Sequence, residues 1–233
     1  MLRKSTSIGQ HLKTPRAAAI AGIAFSVLSI TGQLLIRSAI PPYGQGSAIE
    51  LVKHSQTISL CLNLVPFAGI AFLWFVAALR DHLGEFEDRF FATVFFGSGL
   101  LYIAMFFASA ALAEGLLGVL SSGTENPVHS GTYAVSRAEI NQMLNIYGIK
   151  MAGVFMISFS TISLRTRILP RSLAFLGWAL ALLLLFSIGT IAWAPIIFPL
   201  WVFLLSIRIL IEKFGSSSDA DQTPLRPVMG GPR

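Results

Sequence analysis

The chain has 233 residues, of which 54% are hydrophobic and only 12% are charged, about half the charged fraction of ordinary soluble domains. So much apolar side-chain surface excludes a single soluble domain of this length, and the long uncharged runs are typical of membrane spans. In a membrane protein, the distribution of the Lys and Arg residues behind the net charge of +6 indicates the orientation of the chain. The chain has a single cysteine, Cys61, which excludes an intrachain disulfide.

The first predicted element is a transmembrane span over residues 17–36, preceded by a basic segment, residues 1–16, that we expect to be cytoplasmic. The span is longer than the ~7–15 residues of a signal-peptide core, so we expect it to be retained. Ala18, Gly22 and Ser26 recur every four residues on one helix face. This spacing of small residues predicts close packing against another helix.

The second predicted helix begins with a capping box, in which Ser47 and Glu50 satisfy backbone amides at the helix start. It enters the membrane over residues 55–79, and Pro66 is expected to kink its buried part. A mixed-charge turn separates it from the third span, residues 90–113. The two spans therefore form a helical hairpin.

The fourth predicted helix begins with a second capping box, Ser136 and Glu139. A further uncharged stretch, residues 172–207, would measure ~54 Å as one helix, which is too long for a single crossing. We therefore predict two short helices there, with a turn near Trp193.

The resulting prediction is an all-α polytopic membrane bundle of six transmembrane helices, with both termini inside. Six crossings place 13 of the 17 Lys and Arg residues on the cytoplasmic side, as the positive-inside rule requires. The transmembrane domain covers residues 17–212, and residues 213–233 are predicted to be a disordered cytoplasmic tail. The six predicted spans are 17–36, 55–79, 90–113, 141–164, 173–190 and 195–211.

Three segments carry a resemblance to known proteins: residues 68–75 (AGIAFLWF), 87–101 (EDRFFATVFFGSGLL) and 198–202 (FPLWV). Through them the chain resembles a group of uncharacterised bacterial six-span integral membrane proteins. The resemblance implies a bacterial protein of the plasma (inner) membrane. The resemblance implies no activity, ligand or catalytic residue.

A polar cluster is predicted in the outer half of the bundle, on the second, third and fourth helices. Its members are ionisable or polar residues at similar predicted depth: Asn63, Glu114, Gln142, Asn145, Tyr147 and Lys150. Lysine is costly inside a bilayer and usually faces a partner or a wet cavity, so we expect Lys150 to pair with Glu114. Such a pair is either structural or part of a proton or substrate site between the two helices, and Lys150 could also extend outward to the interface.

The sequence excludes several function classes more firmly than it selects one. No catalytic, cofactor-binding or metal-binding motif is found, and no surface suited to nucleic acid is predicted. The favoured interpretation is a non-enzymatic accessory or interaction subunit, partnered by the bilayer and by another membrane protein or a second copy of the chain. The alternative is a small-molecule or ion transporter or channel that uses the polar cluster. An intramembrane enzyme comes third, because no paired nucleophile and base is evident.

Overall fold

The computed structural model describes residues 14–39, 53–83, 89–121, 131–166, 170–187 and 193–220. Within these ranges the chain is helical and contains no strand, which confirms the predicted all-α bundle. The described helices are, in chain order, α1 (Thr14–Ala39), α2 (Ser55–Leu83), α3 (Arg89–Ser121), α4 (Gly131–Gln142), a π-helical segment (Met143–Gly148), α5 (Ile149–Thr166), α6 (Arg171–Phe186) and α7 (Ala194–Ala220).

Among the described residues, five helices are long and apolar enough to cross a membrane: α1, α2, α3, the continuous stretch from α4 to α5, and α7. The sixth, α6, has 16 residues and measures ~24 Å, less than the ~30 Å hydrocarbon core of a bilayer. The long uncharged stretch does divide into two helices, because Ser187 leaves the helical conformation and α7 begins at Ala194. The chain is therefore a membrane-embedded helical bundle.

Two contacts show that α1 and α7, and likewise α2 and α3, run in opposite directions. Gln33, near the end of α1, donates a hydrogen bond to the carbonyl of Pro195 at the start of α7. At the opposite end, the guanidinium of Arg80 in α2 lies 5.1 Å from the ring centroid of Phe96 in α3. We call the end where α2 and α4 begin the predicted outer end, and the end where α3 begins the predicted inner end.

The middle of the bundle is an aromatic core centred on Phe72 of α2, which is fully buried. Its ring centroid lies 4.7 Å from that of Phe25, 5.4 Å from that of Phe155 and 5.6 Å from those of Tyr102 and Phe198. These rings come from α1, α5, α3 and α7, so one side chain joins five helices. Tilted and edge-on ring pairs at these distances add to the stabilisation that burial alone provides.

The small-residue face of α1 is buried as predicted. Ala18, Gly22 and Ser26 are all buried, and α1 packs extensively against α2 and α7. A methyl group at Gly22 would overlap the hydroxyl of Ser206 and the ring of Phe75. The glycine thus sets how closely three helices approach one another.

One prediction about a helix start was wrong. Helix α4 begins at Gly131, so Ser136 lies inside it and is not a capping residue. Tyr133 accepts a hydrogen bond from Arg137 one turn later and packs in an apolar cluster, which holds the first turn helical. Helix α7 continues to Ala220, so the first part of the tail predicted to be disordered is helical, and residues 221–233 lie outside the described residues. The capping box of Ser47 and Glu50 lies outside the described residues.

Candidate functional site at the predicted outer end

Lys150 does not pair with Glu114, contrary to the prediction. Its ammonium donates a hydrogen bond of 2.9 Å to the carbonyl oxygen of Leu185, one residue before the end of α6. The last carbonyls of a helix have no partner within the helix and form the negative end of its dipole. Lys150 therefore satisfies a free carbonyl and holds the short helix α6 against α5.

Glu114 lies in a different place, on an exposed surface of α3. Its carboxylate accepts a hydrogen bond of 3.0 Å from the hydroxyl of Ser59 on α2. Asn63, also exposed, donates its side-chain amide to the carbonyl of Ser59 at 2.9 Å. These side chains thus form one polar patch that bridges α2 and α3.

The patch borders a groove of about 290 Å³ between α2 and α3, which we call the α2–α3 groove. Its remaining walls are apolar, and its members are Leu62, Asn63, Val65, Pro66, Phe107, Ala110, Ala111 and Glu114. Pro66 lies inside α2 and has no backbone N–H to donate, because its nitrogen is part of the side-chain ring. The two alanines keep the α3 side of the groove shallow.

The other three members of the predicted cluster form no hydrogen bond with Glu114 or with one another in the described part of the chain. Asn145 donates its side-chain amide to the side-chain oxygen of Asn141 at 2.8 Å. Gln142 is exposed, and Tyr147 is 58% exposed. The six predicted residues therefore do not form one cluster: only Glu114 and Asn63 share a polar patch.

A π-helical segment, Met143–Gly148, precedes Lys150 and accounts for where that side chain points. A π-turn closes its hydrogen bonds over one more residue than an α-turn, so the residues after it are rotated relative to a continuous α-helix. Lys150 is consequently placed towards α6. Gly148 is buried, and a methyl group there would lie 3.1 Å from the carbonyl oxygen of Met143, so glycine suits this wide turn. No residue pattern in the sequence marks a π-turn.

A cavity that the sequence did not predict lies next to the groove, among α2, α3 and α4. Its volume is about 160 Å³, and most of its walls are apolar, including Leu62, Phe106, Ala113, Leu117, Ile140 and Leu144. Tyr133 and Arg137 also line it, and the Arg137 guanidinium donates to the Tyr133 hydroxyl at 2.6 Å.

Among the other potentially reactive side chains of the described residues, several buried serines have partners in their own helices, whereas the buried hydroxyls of Ser29, Ser160, Ser163 and Ser187 have none. Ser26, Ser109 and Ser206 donate their hydroxyls to carbonyls of their own helices. Cys61 is a buried free thiol. Within the described ranges, no group of three or more His, Cys, Asp or Glu side chains comes together.

Comparisons with known proteins add no relative to this picture. No protein-family model, no curated protein and no solved structure matches the chain. Functional inference therefore rests on the geometry of the chain itself.

Proposed function

We propose that this protein is a non-enzymatic accessory subunit that binds another membrane protein through the α2–α3 groove. The observation that carries this proposal is the exposed carboxylate of Glu114 on the surface of a membrane-length helix. Glu114 directly follows the predicted span 90–113, so its charge costs less than the ~2.5–3.5 kcal/mol of a charged side chain at the bilayer centre, but such a side chain still usually faces protein or water. A partner that covers the carboxylate removes this cost.

The surface around Glu114 is apolar towards both ends of the bundle. Leu60 and Val119 are exposed on the side of the predicted outer end, 62% and 40% respectively. Phe67 and Phe107 are exposed on the other side. The polar patch is thus enclosed by a surface suited to lipid or to another transmembrane helix.

The partner that fits this groove is a transmembrane helix that presents a cationic or hydrogen-bond-donating side chain to Glu114. Ala110 and Ala111 allow the backbone of such a helix to approach closely. A symmetric dimer of this chain through the same groove would bring two Glu114 carboxylates together, and like charges at close range disfavour that arrangement. The groove therefore favours a different membrane protein over a second copy.

The transporter alternative depended on a continuous polar cluster. In the fold, Lys150 contacts the end of α6, whereas Glu114 and Asn63 lie at the groove. This separation favours the subunit over the transporter.

We further propose that the protein lies in a bacterial plasma membrane with both termini in the cytoplasm. The positive-inside asymmetry and the resemblance described above support this orientation. Reporter fusions at Gly84 and Gly131 test it, with a cytoplasmic signal expected from the first and an external signal from the second. A cytoplasmic signal at Gly131 would contradict the topology.

The subunit proposal is tested by site-specific photocrosslinking in the native membrane. A photoreactive amino acid replaces Ala111 in the groove, and the matched control replaces Phe175, which is 62% exposed on α6. We expect one discrete crosslinked protein from position 111, lost in the Glu114→Leu variant, and none from position 175. Crosslinks to lipid alone at position 111, together with solute movement by the purified monomer in liposomes, would contradict the proposal.

A further inference from the structure

We propose that the cavity among α2, α3 and α4 binds one small uncharged apolar molecule of about six carbons, of which benzene is the simplest example. The site is separate from the α2–α3 groove and does not depend on the function proposed for that groove. Three features of the cavity identify this class of ligand: the apolar side chains of its walls, the existing partners of its polar side chains, and its volume.

The walls of the cavity are mainly hydrocarbon. Both α2 and α3 contribute apolar side chains that are at most 8% exposed, and these are Ile58, Leu62, Val65, Phe106, Leu116 and Leu117. Ile140 of α4 and Leu144 of the π-helical segment complete the apolar wall. A ligand in the cavity therefore contacts mostly apolar atoms of the protein, and its burial is favourable only if the ligand is apolar as well.

The polar side chains at the cavity already have partners. The Arg137 guanidinium donates to the Tyr133 hydroxyl at 2.6 Å, and both residues have further interactions. Ser109 donates its hydroxyl to the carbonyl of Phe106. A charged or polar ligand would lose its hydration here without gaining a matching partner. Water is disfavoured for the same reason, because a buried water needs two to four polar partners.

The volume of the cavity limits the ligand to a small molecule. At about 160 Å³ the cavity is close to the ~150 Å³ engineered cavity that stays dry and binds benzene, so it has room for roughly six carbons. This space accommodates a single six-membered ring. A membrane lipid could place only the end of one chain there, so a separate small molecule fills the cavity better.

An entry route lies between α2 and α4. Helix α4 packs against α3 and against the π-helical segment, whereas its contacts with α2 are few. The cavity-lining side chains of α4 are half-buried, in contrast to the buried ones of α2. A small displacement of α4 from α2 would therefore admit a molecule dissolved in the bilayer.

The test measures thermal unfolding of the purified full-length protein in detergent with and without benzene, because a ligand that binds only the folded state raises the Tm. Ala113→Leu fills the cavity. Ala111→Leu is its matched control on the same helix, because Ala111 lines the groove and not the cavity. Any effect of benzene on the detergent is the same for both variants. Phenol tests whether a polar group is accepted, and biphenyl, which has two rings, tests the size limit.

We expect benzene to raise the Tm of the wild type and of Ala111→Leu. Its affinity, taken from the concentration dependence of the shift, should fall about tenfold or more in Ala113→Leu. Phenol should bind the wild type about tenfold more weakly than benzene, because its hydroxyl finds no free partner in the cavity. Biphenyl should cause no shift that Ala113→Leu abolishes.

Several results would overturn the assignment. One is an equal shift by benzene in the wild type and in both variants, and another is binding of phenol as tight as that of benzene. A third is a lipid that copurifies with the wild type but not with Ala113→Leu and that benzene does not displace, which would assign the cavity to a lipid chain.

If Ala113→Leu does not fold, photolabelling of the wild type with an uncharged phenyl diazirine decides the matter. We expect labelling of cavity-lining residues on α2, α3 and α4 that excess benzene prevents. Labelling of these residues that benzene leaves unchanged would also overturn the assignment.

Discussion

The aromatic core and the predicted outer end of this bundle are built from the same helices but packed in different ways. At the core, the Phe72 ring meets side chains from four other helices, and Gly22 leaves no room for an added methyl group. At the outer end, α2, α3 and α4 surround a cavity, and Glu114 is exposed. The difference shows where this chain is fixed by its own packing and where it is open to another molecule.

The largest effect is expected from Phe72→Ala, because it removes the side chain that joins five helices. We expect a loss of about 3–5 kcal/mol in the free energy of unfolding, as for other fully buried phenylalanines. Phe67→Ala on the same helix is the control, since Phe67 is 62% exposed and should cost far less. Thermal unfolding in detergent measures both, and equal losses would show that the core is not the region that fixes the fold.

The next largest effect is expected from Gly22→Ala, which would force a methyl group against Ser206 and Phe75. Overpacking of this kind typically costs about 1–3 kcal/mol. Gly32→Ala is the matched control on α1, because no atom lies within 4 Å of the added carbon, and alanine is the better helix former. We expect Gly22→Ala to lower the free energy of unfolding and Gly32→Ala to raise it. No change in Gly22→Ala would contradict tight packing at this position.

A smaller effect is expected from Lys150→Met, which removes the donor to the Leu185 carbonyl. Leaving a carbonyl without a partner costs about 1–3 kcal/mol, whereas Glu114→Gln should change stability little. Because the two residues have separate partners, their effects on the free energy of unfolding should add to within about 0.5 kcal/mol in the Lys150→Met/Glu114→Gln double variant. Recovery of stability in a Lys150→Met/Glu114→Leu double variant would instead indicate that the two side chains do pair.

The smallest effect is expected from Ala113→Leu at the outer end. The added carbons fill part of the cavity, so the free energy of unfolding should rise by about 1 kcal/mol in delipidated protein. Ala111→Leu adds the same carbons at the exposed groove and should leave stability nearly unchanged. A loss of stability in Ala113→Leu alone would mean that the cavity is smaller than its geometry indicates.

The sequence by itself determined the all-α membrane bundle, because long uncharged runs have few alternatives to helix in lipid. The division of the 172–207 stretch and the buried face of Ala18, Gly22 and Ser26 could also be predicted, since both follow from helix length and residue spacing. These features depend on local composition and residue spacing, both of which can be read from the sequence.

Only the tertiary structure decided which polar residues meet. Lys150 and Glu114 have similar predicted depths, but the rotation introduced by the π-helical segment directs one to the end of α6, while the other faces the α2–α3 groove. The cavity likewise depends on how far α4 lies from α2 and α3, a distance that no single helix encodes. Depth follows from position along a helix, whereas contact depends on rotation about the helix axis and on the spacing between helices.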